Sequence, residues 1–180
     1  MQHEPPNSEG VSAEIADWSR ERPRRFWDPG RKLIKTLRDY HRLGAARGPF
    51  SALRRGLIVI RHRFWSVVTA SDVPLRFNPA GGLVFPHPTG IVIHPKAVVG
   101  PNCMIMQQVT IGSPGGEKKG VATIGGHVDI GAGAKIIGAV TIGDHAQIGA
   151  NAVVLNDVPA RGRAVGVPAR LITPEPEREN

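Results

Sequence analysis

An Ile or Val stands at every sixth position along much of this chain. The series runs Ile93, Val99, Ile105 and Ile111, then after one interruption Ile124, Ile130, Ile136, Ile142, Ile148 and Val154. A period of six is neither the 3.6 of a helix nor plain strand alternation, so it implies short strands joined by tight corners. Each unit turns a β-branched side chain inward. Gly follows the aliphatic residue at 100, 112, 125, 131, 143 and 149, where a corner needs unusual backbone angles. The residue four places on is always small or β-branched: Ala97, Cys103, Val109, Val128, Ala134, Val140, Ala146, Ala152 and Val158. Such units bury their interior only against their neighbours, so the repeats are expected to fold together as one stacked coil. Gly 22, Pro 16 and only 5% aromatics in 180 residues fit that reading and argue against a helical bundle or an ordinary α/β sheet.

Two places break the pattern. Between Ile111 and Ile124 thirteen residues replace six or twelve, and the insert SPGGEKKGVAT reads as a polar loop extruded from a rigid scaffold, where binding groups commonly sit. Counting back six from Ile93 lands on His87, so an imidazole is expected where the repeat calls for a core aliphatic.

The front of the chain is different in kind. Residues 1–76 hold 15 Lys or Arg against 8 Asp or Glu, whereas residues 77–180 are nearly balanced at 8 against 7. Residues 1–30, rich in proline and charge, predict a flexible tail at the start of the basic front part, and residues 174–180 a second tail. Helical periodicity over residues 31–43 (Leu33, Ile34, Leu37, Tyr40) and 49–69 (Phe50, Leu53, Leu57, Ile60, Phe64, Val68) predicts two amphipathic helices, so residues 31–70 form a short helical region. Arg54, Arg55, Arg61, His62 and Arg63 line the second helix. A solvated basic face beside an oligomer contact is favoured there over a membrane surface or nucleic acid, because no recognition motif accompanies it. Cys103 is alone and is read as a core residue. The first 25 residues carry no signal-peptide core, and the longest apolar run, residues 57–60, is far short of the roughly 20 needed to span a bilayer. A cytoplasmic protein is expected.

The segments HPTGIVIHPKAVVG (87–100), QQVTIG (107–112), IGAGAKIIG (130–138), IGANAVVLNDVPA (148–160) and GVPARLI (166–172) resemble the hexapeptide-repeat acyltransferases, and among them the serine O-acetyltransferases. The resemblance covers residues 70 to 173. It implies a mainly-β fold, a left-handed parallel β-helix over residues 71–173, although parallel crossovers are usually right-handed. It also implies a homotrimer with acetyl-CoA as co-substrate and no metal. His87 matches the family's general base and Asp72, fifteen residues earlier, the carboxylate that orients it. Gly112, Ala132 and Ala150 match backbone positions along which the pantetheine arm lies; Arg170, assisted by Arg163, matches a basic partner for the CoA phosphates.

Three positions depart from the family pattern. Pro86 stands where an aspartate contacts the amino group of serine, and Gly120 and Val121 stand where an Arg-His pair holds its carboxylate; Lys118 and Lys119 are the candidate replacements. The expected activity is acetyl transfer to serine or a similar small hydroxyl acceptor. Acetylation of a sugar hydroxyl, a non-catalytic binding module, and a zinc hydratase using His87, His94, His127 and His145 are the alternatives. The ending EPEREN lacks the terminal Ile that docks serine acetyltransferases on cysteine synthase, so no such complex is expected.

Overall fold

The computed structural model describes residues 10–45, 47–115 and 120–172. Two helices come first, α1 (Pro29–Leu43) and α2 (Pro49–Thr69), each opened by a proline whose missing N–H costs nothing at a helix start. Twelve short strands follow: β1 (Val92–Ile93), β2 (Val98–Val99), β3 (Met104–Ile105), β4 (Thr110–Gly112), β5 (Thr123–Ile124), β6 (Asp129–Ile130), β7 (Lys135–Ile137), β8 (Thr141–Ile142), β9 (Gln147–Ile148), β10 (Val153–Val154), β11 (Arg163–Val165) and β12 (Arg170–Ile172). The protein is mainly β.

Consecutive strands go to three sheets in turn. One sheet is ordered β1-β4-β7-β10, a second β2-β5-β8, and the third β3-β6-β9-β11, closed by β12. Every pairing is parallel except β11 with β12. One circuit takes 18 residues, as in Val92↔Thr110 and Asp129↔Gln147, and the extruded loop lengthens the step to 25, as in Val98↔Thr123. Within each strand the residue before the aliphatic one faces outward, and all ten of the aliphatic series are buried.

The repeat begins earlier than expected. Asp72 bridges Val92 and Val84 bridges Met104, while the Ala80 N–H bonds the Val99 carbonyl at 2.9 Å. Val73, Pro79 and Phe85, six residues apart, therefore stand opposite Ile93, Val99 and Ile105. Between Phe85 and Ile93 the step is eight, not six, and His87 lies in the two added residues. It does not replace a core aliphatic. Phe85 fills that column and is 4% exposed, whereas His87 is exposed.

Residues 1–30 were expected to be a tail, and those beyond residue 9 are not. Asn102 accepts the Asp17 N–H at 2.8 Å and donates to the Ser12 and Ile15 carbonyls at 2.7 and 2.8 Å. Glu21, 7% exposed, makes two hydrogen bonds to Arg38, whose guanidinium also reaches the Pro79 and Ala80 carbonyls. Composition hid these contacts because they are polar and specific rather than apolar. The expected tails at residues 1–9 and 174–180 lie outside the described residues. The apolar side chains of α1, Leu33, Ile34 and Leu37, join the core of the first circuit and cover its open end, as a stacked-repeat fold requires.

Candidate active site

The three edges of the coil carry different residues. On one, between the third and first sheets, the corners are residues 86–90, 106–108, 131–133, 149–151 and 166–169. Left-handed backbone at Gly90 (φ 69°), Gln108 (59°), Gly133 (73°) and Asn151 (56°) turns this edge. Ladder bonds run down it, from the Gln108 N–H to Thr89, from Gly133 to Gln107 and from Asn151 to Ala132, each at 2.8 Å. Two glycines are needed here for different reasons: a Cβ on Gly131 would lie 2.6 Å from the backbone nitrogen of Ala150, whereas Gly133 has a left-handed φ and a Cβ there would lie 2.1 Å from the Asn151 side-chain oxygen.

His87, Ala132 and Ala150 all fall on this edge. Asp72 sits at the same end of the coil, on the strand position beside Val92, in the strand that the His87 corner leads into. Both side chains are exposed, and neither makes a hydrogen bond among the described residues. Arg170 pairs with Val165 and Arg163 with Ile172, so both lie on the third sheet at the far end; the Arg163 Nε donates to Gln147 at 2.9 Å. Gly112 is across the first sheet from Ala132, bonded through its carbonyl to the Gly138 N–H at 3.0 Å, at the mouth of the extruded loop. Lys118 and Lys119 lie outside the described residues.

The two added residues are pinned by groups that the sequence reading passed over. The Ser71 hydroxyl bonds the Pro88 carbonyl at 2.5 Å and accepts the Ile91 N–H at 3.0 Å, and the Gly90 N–H bonds Thr69 at 3.0 Å. The eight-residue step from Phe85 to Ile93 was the available signal. Below this corner, Gln107 has a buried side-chain oxygen without a hydrogen-bond partner.

The second edge, between the second and third sheets, turns at left-handed Gly82, Asn102, His127, His145 and Arg161. Residues 12–21 lie along it, and a Cβ on Gly126 would strike the Ala13 carbonyl. His127 and His145 stack one circuit apart, and His127 is 9% exposed. Burial, with His145 and Arg20 nearby, holds its imidazole below the usual range, against the pull of Asp129. Cys103 is enclosed, and burial pushes its thiol up to about 12. Among the described residues no three His, Cys, Asp or Glu side chains converge as a metal site would need.

No protein-family model matches the chain. Serine acetyltransferase 5 of Arabidopsis thaliana is 45% identical over 122 residues, 66% of this chain and 38% of its own length. The serine acetyltransferase of Synechocystis is 50% identical over 100 residues, 55% of this chain and 40% of its own. Over its repeats the chain is similar to serine acetyltransferases. Two solved structures extend the likeness to the fold. A serine acetyltransferase in complex with CoA superposes with a TM-score of 0.66 at 34% identity, over 81% of this chain and 57% of that one. The soybean enzyme complexed with serine gives 0.64 at 39%, over 78% and 56%. The chain thus spans about two fifths of the length of these curated relatives and rather more than half of the solved chains.

Proposed function

We propose that the protein is an acetyl-CoA-dependent serine O-acetyltransferase, with a helical region over residues 31–70, a left-handed coil over residues 71–173 and a trimer whose sites lie between neighbouring chains. The observation that carries the reading is the single edge shared by His87, Ala132 and Ala150. Ala132 and Ala150 are two and three strand spacings from the His87 corner, Arg163 on β11 is four and Arg170 on β12 is five, about 19 and 24 Å at 4.8 Å per strand. An extended pantetheine arm fits against that row of small corner residues, with its thioester at His87 and its phosphates toward Arg170 and Arg163. Gly112 borders the same sheet where the loop leaves, and Lys118 and Lys119 on that loop are the proposed charge partners of the serine carboxylate.

In this reading His87 removes the serine hydroxyl proton as the oxygen attacks the thioester carbonyl. The C–S bond breaks, the acetyl group stays on oxygen, and the imidazolium returns the proton to the departing thiolate. Asp72 fixes the imidazole orientation and stabilises its charged form, the task of the buried carboxylate in a hydrolytic triad. The relatives and the two complexes support donor and acceptor alike, being named serine acetyltransferases and holding CoA and serine. The test is thiol release from acetyl-CoA with and without serine. Serine-dependent release is expected; its absence, with CoA binding intact, would remove serine from the proposal.

A further inference from the structure

The second helix carries an apolar stripe that faces away from the protein. Phe50, Leu53, Leu57, Ile60, Phe64 and Val67 are all exposed, Phe50 by 83% and Val67 by 79%, while the residues that α2 buries are Ile58, His62, Trp65 and Thr69. At 3.6 residues per turn the stripe covers about 100° of the circumference and runs about 26 Å. An amphipathic helix ordinarily turns such a face to the core; here the inward contact is made instead by His62, whose Nδ1 meets the Thr36 hydroxyl at 2.8 Å, and by Trp65 against Trp27. Trp27 and Phe26 are themselves 58% and 89% exposed, which extends the aromatic surface around the end of α2.

The charges beside the stripe have one sign. Residues 29–70 hold ten Lys or Arg and a single Asp. Arg54 and Arg61 flank the stripe on one side and Arg63 on the other. Asp39 already binds both Arg61 and Lys35. Among the described residues Arg54 and Arg63 meet no carboxylate, nor do Arg42 and Arg47 at the neighbouring helix ends.

We propose that this face of α2 docks the protein on an anionic lipid surface, with the stripe in the headgroup boundary and the flanking arginines on lipid phosphates. Protruding apolar side chains between cations are the pattern of a helix lying in a membrane interface. A second copy of α2 would set Arg54, Arg61 and Arg63 against the same residues, which opposes pairing. No described helix is long and apolar enough to cross a membrane, so the contact is peripheral. The sequence alone favoured a solvated basic face beside an oligomer contact; the like charges on both sides of the outward stripe favour a lipid surface over a second copy. The proposal is independent of the acetyl-transfer reading.

Sedimentation of the full chain with vesicles tests it. The wild type is expected to sediment with phosphatidylcholine vesicles containing phosphatidylglycerol at physiological ionic strength, to remain free with phosphatidylcholine alone, and to be released at high salt. Leu57→Gln with Ile60→Gln should abolish sedimentation. Arg54→Gln and Arg63→Gln should each weaken it about fivefold, and this pair keeps the test open if the apolar variant folds poorly. Failure of the wild type to bind anionic vesicles would overturn the proposal, as would binding unchanged in folded Leu57→Gln, Ile60→Gln protein. Absence of vesicle binding together with a fall in molar mass in that variant would assign the stripe to a second copy of the chain.

Discussion

His127 and His145 meet Nδ1 to Nδ1 at 2.9 Å, one circuit apart on the edge that residues 12–21 cover. One ring must donate and the other accept, so a second proton would bring two like charges together. Burial holds His127 below the usual imidazole range, and burial does the same to His62. The folded chain therefore binds fewer protons than the unfolded one in this range, and stability rises with pH there. The contribution is fully present above about pH 6.5, the unfolded value, and is lost as the pH falls from there toward the folded values. Thermal midpoints measured across this window should drop on the acid side, and less steeply in His127→Gln. An identical slope in that variant would show that the pair is not the source.

His87 is exposed on an insertion and fills no core space, so its removal should separate chemistry from stability. His87→Ala is expected to lower kcat by about 10^2- to 10^4-fold with a thermal midpoint close to wild type. Near-normal turnover would refute its assignment as general base. A large loss of stability would instead show that the corner depends on the ring.

Ser71 is a positioning residue under the same reading. Ser71→Ala leaves the buried Ile91 N–H and the Pro88 carbonyl without their partner, a loss of about 1–3 kcal/mol for an unsatisfied buried group. The corner that carries His87 then loosens. Steady-state kinetics well below the midpoint should show a lower kcat with KM for acetyl-CoA unchanged. A purely structural role would leave kcat alone at that temperature.

The coil was legible because one physical demand, a narrow interior of β-branched side chains, repeats at every sixth residue from Ile93 to Val154. The start was not legible. Val73 and Phe85 belong to the series, but Pro79 stands between them and the next step is eight, so the phase slips at the residues that matter most. That slip turned His87 from a corner residue into an apparent core substitution. Residues 12–21 escaped notice for another reason: they are held by Asn102, Arg38 and Arg20, and polar contacts of that kind leave no hydrophobic period. The direction of the α2 stripe was equally invisible, since periodicity defines a face without saying whether the core or something outside it lies opposite.

Cys103 gives a direct check on how closed the coil is. Its side chain is fully buried, its sulfur lies 3.1 Å from the Gly125 carbonyl, and its thiol is pushed up to about 12. The thiolate is the reactive form. The native protein should therefore resist a disulfide reagent at mildly alkaline pH and react with one thiol per chain after denaturation. Rapid labelling of the native protein would mean that the edge between the second and third sheets opens readily.

Asn102 should be the residue on which the front segment depends most. Its backbone is left-handed, with φ of 61°, a conformation that Asn tolerates better than most residues. Its side chain makes three bonds to residues 12–17, and its carbonyl accepts the Arg20 guanidinium at 2.5 Å. Gly82 leaves the space for it, since a Cβ there would overlap the Asn102 oxygen. Replacement by Ala removes all three side-chain bonds and keeps the left-handed strain, so Asn102→Ala should cost about 2–4 kcal/mol at roughly 1 kcal/mol per bond. Asn102→Gly removes the same bonds but relieves the backbone, so it should cost less while releasing the segment equally. Limited proteolysis separates the two effects. Both variants should be cut within residues 12–21 under conditions that spare the wild type, and only denaturation midpoints should distinguish them. Protection of the segment in both variants would mean that the Glu21–Arg38 pair, with the Arg20 bond to the backbone carbonyl of residue 102, is enough to hold it in place.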